Sequence, residues 1–318
     1  MELMDIKRIA VLGTGAMAPG IVQLCAQAGY GVSMWGRTDA SLERGFNRLA
    51  SNLRTFRDNG LLGEGEEQEV LSRVKGVKML EEAVSDVEFV IESVAEDLPL
   101  KKQVFAELHR LCSAEAILAT NTSGLSITAI AEATGRPEQV VVTHFWNPPQ
   151  LVPLVEVVGC DRTSEGTLKV ARGLVERIGG MPVVLKKEAL GFIGNRLQFA
   201  LLREALYIVE QGIASMEDVD TAVKMSFGRR LPVTGPIETA DLGGLDVFLA
   251  VSEYLMRDLC SSPEPSPLLA DAVGRGWLGA KTGKGLYVRS PEAIGELVKA
   301  REQQLIRFLK QDRDKGVD

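Results

Sequence analysis

Histidine is almost missing from this chain: two of 318 residues, His109 and His144. Chemistry that needs an imidazole therefore has only two places to sit. Cysteine is also scarce, and Cys25, Cys112, Cys160 and Cys260 are far apart with no CxxC pair. That spacing offers no thiolate metal site and no disulfide framework. Reduced thiols, no metal and a cytoplasmic location are expected. Basic residues are not in excess: 36 Lys and Arg stand against 43 Asp and Glu, a net charge of -7. Nucleic acid is therefore not an expected partner. No apolar run is long enough to span a bilayer, and "MELMDIKRIAVLG" enters a strand pattern directly, with no signal-peptide pattern before it. What is present is ordinary globular composition, 45% hydrophobic and 25% charged, enough for one large domain or two ordinary ones.

The apolar pattern changes character near residue 187. Before it, short apolar runs read as strands: 6–12, 31–35, 88–94, 116–121, 139–145, 151–158 and 181–187. Amphipathic stretches lie between them, at about 16–28, 41–58, 98–111 and 164–178. Strands alternating with helices predict an α/β domain with a largely parallel sheet covered on both faces. After Lys187 the pattern predicts helices at about 191–212, 216–226, 242–259, 266–274 and 291–312. One short strand, "GLYV" (285–288), interrupts them. The expected architecture is an N-terminal Rossmann-like domain, 1–187, followed by an all-helical domain, 188–318.

"GTGAMAPG" follows the first strand and opens the first helix, the context that gives a glycine fingerprint its meaning. Gly13 permits the tight turn and Gly15 lets backbone approach a pyrophosphate. Ala16 and Met17 complete the loop, and the small Ala18 allows close helix–strand packing. A dinucleotide is the expected ligand. The second strand ends in "SMWGRTD", with Gly36 in the slot where an acid would bind the adenine ribose of NAD. Without that carboxylate, Arg37 and Thr38 could take a 2′-phosphate, so the reading leans towards NADP. NAD remains open, with Arg37 against adenine or Asp39 replacing the acid.

A second group of residues carries the chemistry. His144 ends a predicted strand, where α/β sheets place ligands. Glu156 stands twelve residues later in the apolar run "LVPLVEVV", where a bare carboxylate is costly. A His–Glu pair offsets that cost, fixes the imidazole tautomer and makes the ring a better base.

The segments "NTSGLSIT", "HFWNPP", "LVEVV", "GFIGNR", "GIASMEDVD" and "GAKTGKGLYV", in this order, resemble the L-3-hydroxyacyl-CoA dehydrogenase family over nearly the whole chain. The resemblance implies that His144 is the catalytic base, Glu156 its partner, and Ser123 and Asn195 the residues that hold the substrate oxygen. It also implies nicotinamide-side cofactor contacts at Glu96, Lys101, Asn121 and Asn147. An acyl-CoA substrate and a homodimer built on the helical domain complete the expectation. Gly36, Trp146, Pro153 and Leu190 depart from the family pattern. "NPPxxVPLVE" is also similar to relatives acting on free hydroxy acids, gulonate and carnitine dehydrogenases among them. A free 3-hydroxy acid thus remains an alternative substrate, and a non-catalytic nucleotide-binding protein an alternative role.

Overall fold

The computed structural model describes residues 2–314. The chain folds as two compact units, Met1–Ile193 together with Lys299–Asp318, and Gly194–Val298.

The first unit is a twisted α/β layer structure. In chain order it contains β1 (Arg8–Leu12), α1 (Ala18–Gln27), β2 (Gly31–Trp35), α2 (Asp39–Asp58), α3 (Glu66–Ser72), β3 (Val74–Val77), α4 (Leu80–Val84) and β4 (Phe89–Glu92). It continues through α5 (Leu98–Leu111), β5 (Ile117–Thr120), α6 (Ile127–Ala131), β6 (Val140–Phe145), β7 (Leu154–Val158), α7 (Glu165–Arg177) and β8 (Met181–Val184). The eight strands form one sheet in the order β3-β2-β1-β4-β5-β6-β7-β8. Every pairing is parallel except β6 with β7, which sets His144 directly opposite Glu156.

Central strands are apolar on both sides because both faces are covered. Ile9 and Val11 pack with α1, α2 and α7 on one face, while Ala10 and Leu12 pack with α4, α5 and α6 on the other. The chain reverses direction across the sheet between β1 and β4. That reversal opens a crevice at their carboxyl ends, where open α/β sheets bind ligands.

The second unit holds α8 (Gly194–Glu210), α9 (Met216–Met225), α10 (Pro236–Gly243), α11 (Leu245–Leu255) and α12 (Pro267–Gly274). The final helix, α13 (Pro291–Asp314), begins in this unit and continues into the first. There Ile306, with Leu305 and Leu309, closes a small core over Phe56, Leu61 and Leu151, and Arg313 donates to the Leu61 carbonyl at 3.0 Å.

The structure differs from the sequence reading at several points. The units divide after Ile193 rather than at 187/188. Leu185 donates to Val157 and Ile193 to Glu156, so the 185–193 segment is bonded to the sheet. The end of the chain does not stay with the helical unit, because the apolar stripe of α13 packs on α/β residues. "GLYV" is not a strand: only isolated bridges form there, Gly279 to Lys284 and Lys284 to Val288, among glycines with positive φ. The elements α3, β3, α4, α6 and α10 do not emerge from the periodicity. Each is short, and β3 buries only Val77.

Candidate active site

The glycine turn is built for backbone approach. Gly13 has φ +130°, and a Cβ there would strike the Ser93 carbonyl, so only glycine fits. Gly15 is the opposite case, with no heavy atom within 4 Å of a Cβ position. Ala16 beside it is exposed and Met17 half-buried, and α1 starts at Ala18 without a side-chain cap. In its first turn Pro19 has no N–H and Gly20 donates to the Met17 carbonyl at 3.1 Å, so it is the helix dipole that favours an anion here. An open space over glycine backbone at a ten-residue helix N-terminus fits a dinucleotide pyrophosphate.

At the end of β2, Gly36 is buried. A Cβ there would meet Ser41 Oγ at 2.8 Å and Thr14 at 2.9 Å. Thr38 caps α2: its hydroxyl accepts the Ser41 N–H at 3.1 Å, and Ser41 Oγ accepts the Thr38 N–H in return. Asp39 pairs with Lys78 at 2.9 Å, and Arg37 is exposed.

Beyond β4 a polar hub holds the next loops. Glu92, fully buried, accepts from Lys101 Nζ at 2.8 and 3.0 Å, from Thr120 Oγ1 at 2.6 Å and from the Val94 N–H at 2.7 Å. Lys101, itself buried, also approaches Glu96 at 3.4 Å. Glu96 accepts from the Thr122 hydroxyl at 2.6 Å, the Ser123 N–H at 2.8 Å and the Ser123 hydroxyl at 3.0 Å. Burial pushes the Glu96 carboxyl up. The Thr122 and Ser123 hydrogen bonds and the Lys101 charge outweigh this and hold it below the usual carboxylate range. Asn121 ties this loop to β6, its Oδ1 accepting the Phe145 N–H at 2.8 Å and its amide donating to Ser93 Oγ at 3.2 Å.

The His144–Glu156 pair is formed. Nδ1 lies 2.8 Å from Glu156 Oε2, with the imidazole 6% exposed and the carboxylate fully buried. Facing a carboxylate, Nδ1 carries the proton and Nε2 is left as the basic atom. Glu156 Oε1 accepts the Ile193 N–H at 2.8 Å, and Oε2 also accepts the Trp146 indole N–H at 3.3 Å. Phe192, with φ 51° after Gly191 at φ 73°, is buried with its ring centroid 5.5 Å from that of the imidazole. The Cβ position of Gly124 is 3.6 Å from the Gly191 nitrogen, which brings the Ser123 loop beside the turn that binds Glu156. Asn147 is exposed and precedes Pro148 through a cis peptide. Asn195 stands in the first turn of α8, in the second unit.

Sequence reasoning missed Glu92 as the hub and Trp146 as a donor to Glu156. A signal for Glu92 existed: an acid in the apolar run "FVIESV", nine residues before Lys101, the same pattern that marked Glu156. Among the described residues no group of His, Cys, Asp and Glu could hold a metal ion, and no helix is long and apolar enough to cross a membrane.

Comparison with known proteins places the chain in a family. Residues 8–189 match the family model for the 3-hydroxyacyl-CoA dehydrogenase NAD binding domain, and residues 191–289 match that for its C-terminal domain. The chain is 38% identical over 281 residues to the 3-hydroxybutyryl-CoA dehydrogenase of Clostridioides difficile, covering 88% of this chain and 98% of that protein. It is 34% identical over 301 residues to the 5-formyl-3-hydroxy-2-methylpyridine 4-carboxylate 5-dehydrogenase of Mesorhizobium japonicum, covering 95% and 96%. A solved structure of an enzyme of the latter name superposes with a TM-score of 0.89 at 32% identity, covering 98% of this chain and 99% of the other. The (S)-3-hydroxybutyryl-CoA dehydrogenase of Ralstonia eutropha superposes with a TM-score of 0.76 at 33% identity, covering 90% and 100%. An open glycine cradle, a buried His–Glu pair and both family domains in order lead to one conclusion: the chain belongs to the 3-hydroxyacyl-CoA dehydrogenase family and is an NAD-dependent oxidoreductase.

Proposed function

We propose that the chain interconverts an L-3-hydroxyacyl-CoA and its 3-ketoacyl-CoA, with His144 as general base. The observation that carries this reading is the buried His144–Glu156 pair at 2.8 Å. When bound, the nicotinamide accepts the hydride of the carbinol carbon or returns it. The residues of the chain supply the rest. His144 Nε2 takes the hydroxyl proton, Glu156 stabilises the resulting imidazolium, and Ser123 and Asn195 hold the oxygen. Cofactor contacts are assigned to Gly13, Gly15, Ala16 and Met17 at the pyrophosphate and to Glu96, Asn121 and Asn147 towards the nicotinamide. Lys101, spent on Glu92, is assigned to holding Glu96 in place.

Replacing His144 with Gln is expected to lower turnover by about 10²–10⁴-fold with the cofactor dissociation constant near that of the parent. Near-parent turnover in that variant overturns the assignment. A second reading keeps the chemistry and removes CoA. One relative, covering 95% of this chain and 96% of its own length, is named for a pyridine carboxylate and not for an acyl-CoA. Rates with acetoacetyl-CoA against gulonate, carnitine and an aromatic hydroxy acid separate the two.

The cofactor reading turns on Gly36. With no carboxylate there and Arg37 exposed, a 2′-phosphate is tolerated and Arg37 is its ligand. Thr38 is committed to its cap and contributes its backbone position rather than a free hydroxyl. A wide preference for NADH over NADPH removes Arg37 from that role. The homodimer is the assembly that this reading expects, through the helices after residue 193. A cytoplasmic location accords with the four free thiols.

A further inference from the structure

The carboxylate that orients His144 has a second side-chain donor from just beyond the end of β6. Glu156 Oε2 accepts from His144 Nδ1 at 2.8 Å and from the Trp146 indole N–H at 3.3 Å. The two rings stand 5.8 Å apart at 54°. Around the carboxylate, β6 supplies His144 as the ionisable group, β8 sets Val183 opposite Glu156, and the following turn brings the Ile193 N–H onto Oε1.

We propose that Trp146 is a positioning residue that sets the basicity of His144 through Glu156. The inference rests on the reading of His144 as the base. The indole N–H donates whether the imidazole is neutral or charged, so it does not compete for the moving proton. It withdraws charge from the oxygen that faces Nδ1, in a site with little water to screen the effect. The carboxylate therefore holds the imidazolium less strongly than it would without the indole donor. The N–H also fixes the carboxylate rotamer, keeping Oε2 on the histidine while the Ile193 N–H holds Oε1. Phenylalanine at 146 would fill similar space and supply no donor.

The test uses the scarcity of histidine. With only His109 and His144 in the chain, each imidazole can be titrated by NMR, and the His144→Gln variant assigns the signals. In Trp146→Phe the His144 midpoint is expected to rise by about half a unit to one unit, a three- to ten-fold change in the protonation equilibrium. The rising limb of kcat/KM for alcohol oxidation should move to higher pH by the same amount, with the high-pH plateau within about two-fold. Benzothienylalanine at position 146, which keeps the indole shape and replaces N–H by sulfur, should give the same shift if the phenylalanine variant folds poorly. A His144 midpoint that stays within about 0.2 unit of the parent in the folded variant overturns the proposal, even if stability or kcat falls. Failure of the underlying reading is seen separately, as full turnover in His144→Gln, since the NMR titration needs no activity.

Discussion

Lys101 and Glu92 are both buried, and each depends on the other. An ammonium and a carboxylate lose their hydration when enclosed, and only close pairing with further hydrogen bonds offsets the loss. The pair here meets that condition, since Thr120 and the Val94 N–H take up further acceptor capacity of Glu92. Removing one partner leaves the other charge stranded. Lys101→Met is therefore expected to lower the unfolding free energy by about 3–5 kcal/mol in urea melts. The double variant Lys101→Met with Glu92→Leu should recover part of that loss. A loss below about 1 kcal/mol in the single variant would mean that water reaches the pair. The cysteines, by contrast, are quiet. Burial pushes Cys25 up to about 12 and Cys112 up to about 11, with Arg136 opposing the second shift in part, so neither is a nucleophile near neutral pH.

At the scale of elements, what could be read from the sequence follows burial. Strands β1, β4, β5 and β6 are covered on both faces, so their apolar runs are continuous and unmistakable. The glycine loop is equally legible, because Gly13 is demanded by geometry and not by composition. The short elements α3 and β3 each bury a single residue and left little periodicity to find. The role of α13 was hidden for another reason. Its amphipathic pattern marks a helix without naming the surface that it covers, and that surface is formed by Phe56, Leu61 and Leu151, far away in sequence. Leu151 follows the His144–Gln150 segment, so the helix supports the loop that leaves the candidate base. Ile306→Ala should cost about 2–5 kcal/mol, in the range of buried aliphatic truncations. A melting temperature unchanged from the parent would mean that α13 rests on the first unit without stabilising it.

At the scale of the whole molecule, the two units bury their apolar residues very differently. The first has two continuous cores on either side of its sheet. In the second, α11 has no buried residue, and Leu245, Val247, Phe248, Leu249, Tyr254 and Leu255 are all exposed. On α8, Leu197, Phe199 and Leu201 are exposed as well. The sequence read these segments as helices, but a single chain does not say what their faces meet. An exposed apolar surface of this extent is a liability for a lone soluble chain and marks an interaction surface. A second copy is the partner that the reading of this chain expects, because closed two-fold pairing covers the same patch on both subunits at once. Sedimentation velocity at micromolar concentration should therefore give a particle of two 34.4 kDa chains. Leu249→Glu, which puts a carboxylate into the apolar face of α11 and touches none of the proposed catalytic residues, should shift that particle towards the single chain. A parent protein that sediments as a monomer at tens of micromolar would refute the dimer and leave the apolar helices to a different partner.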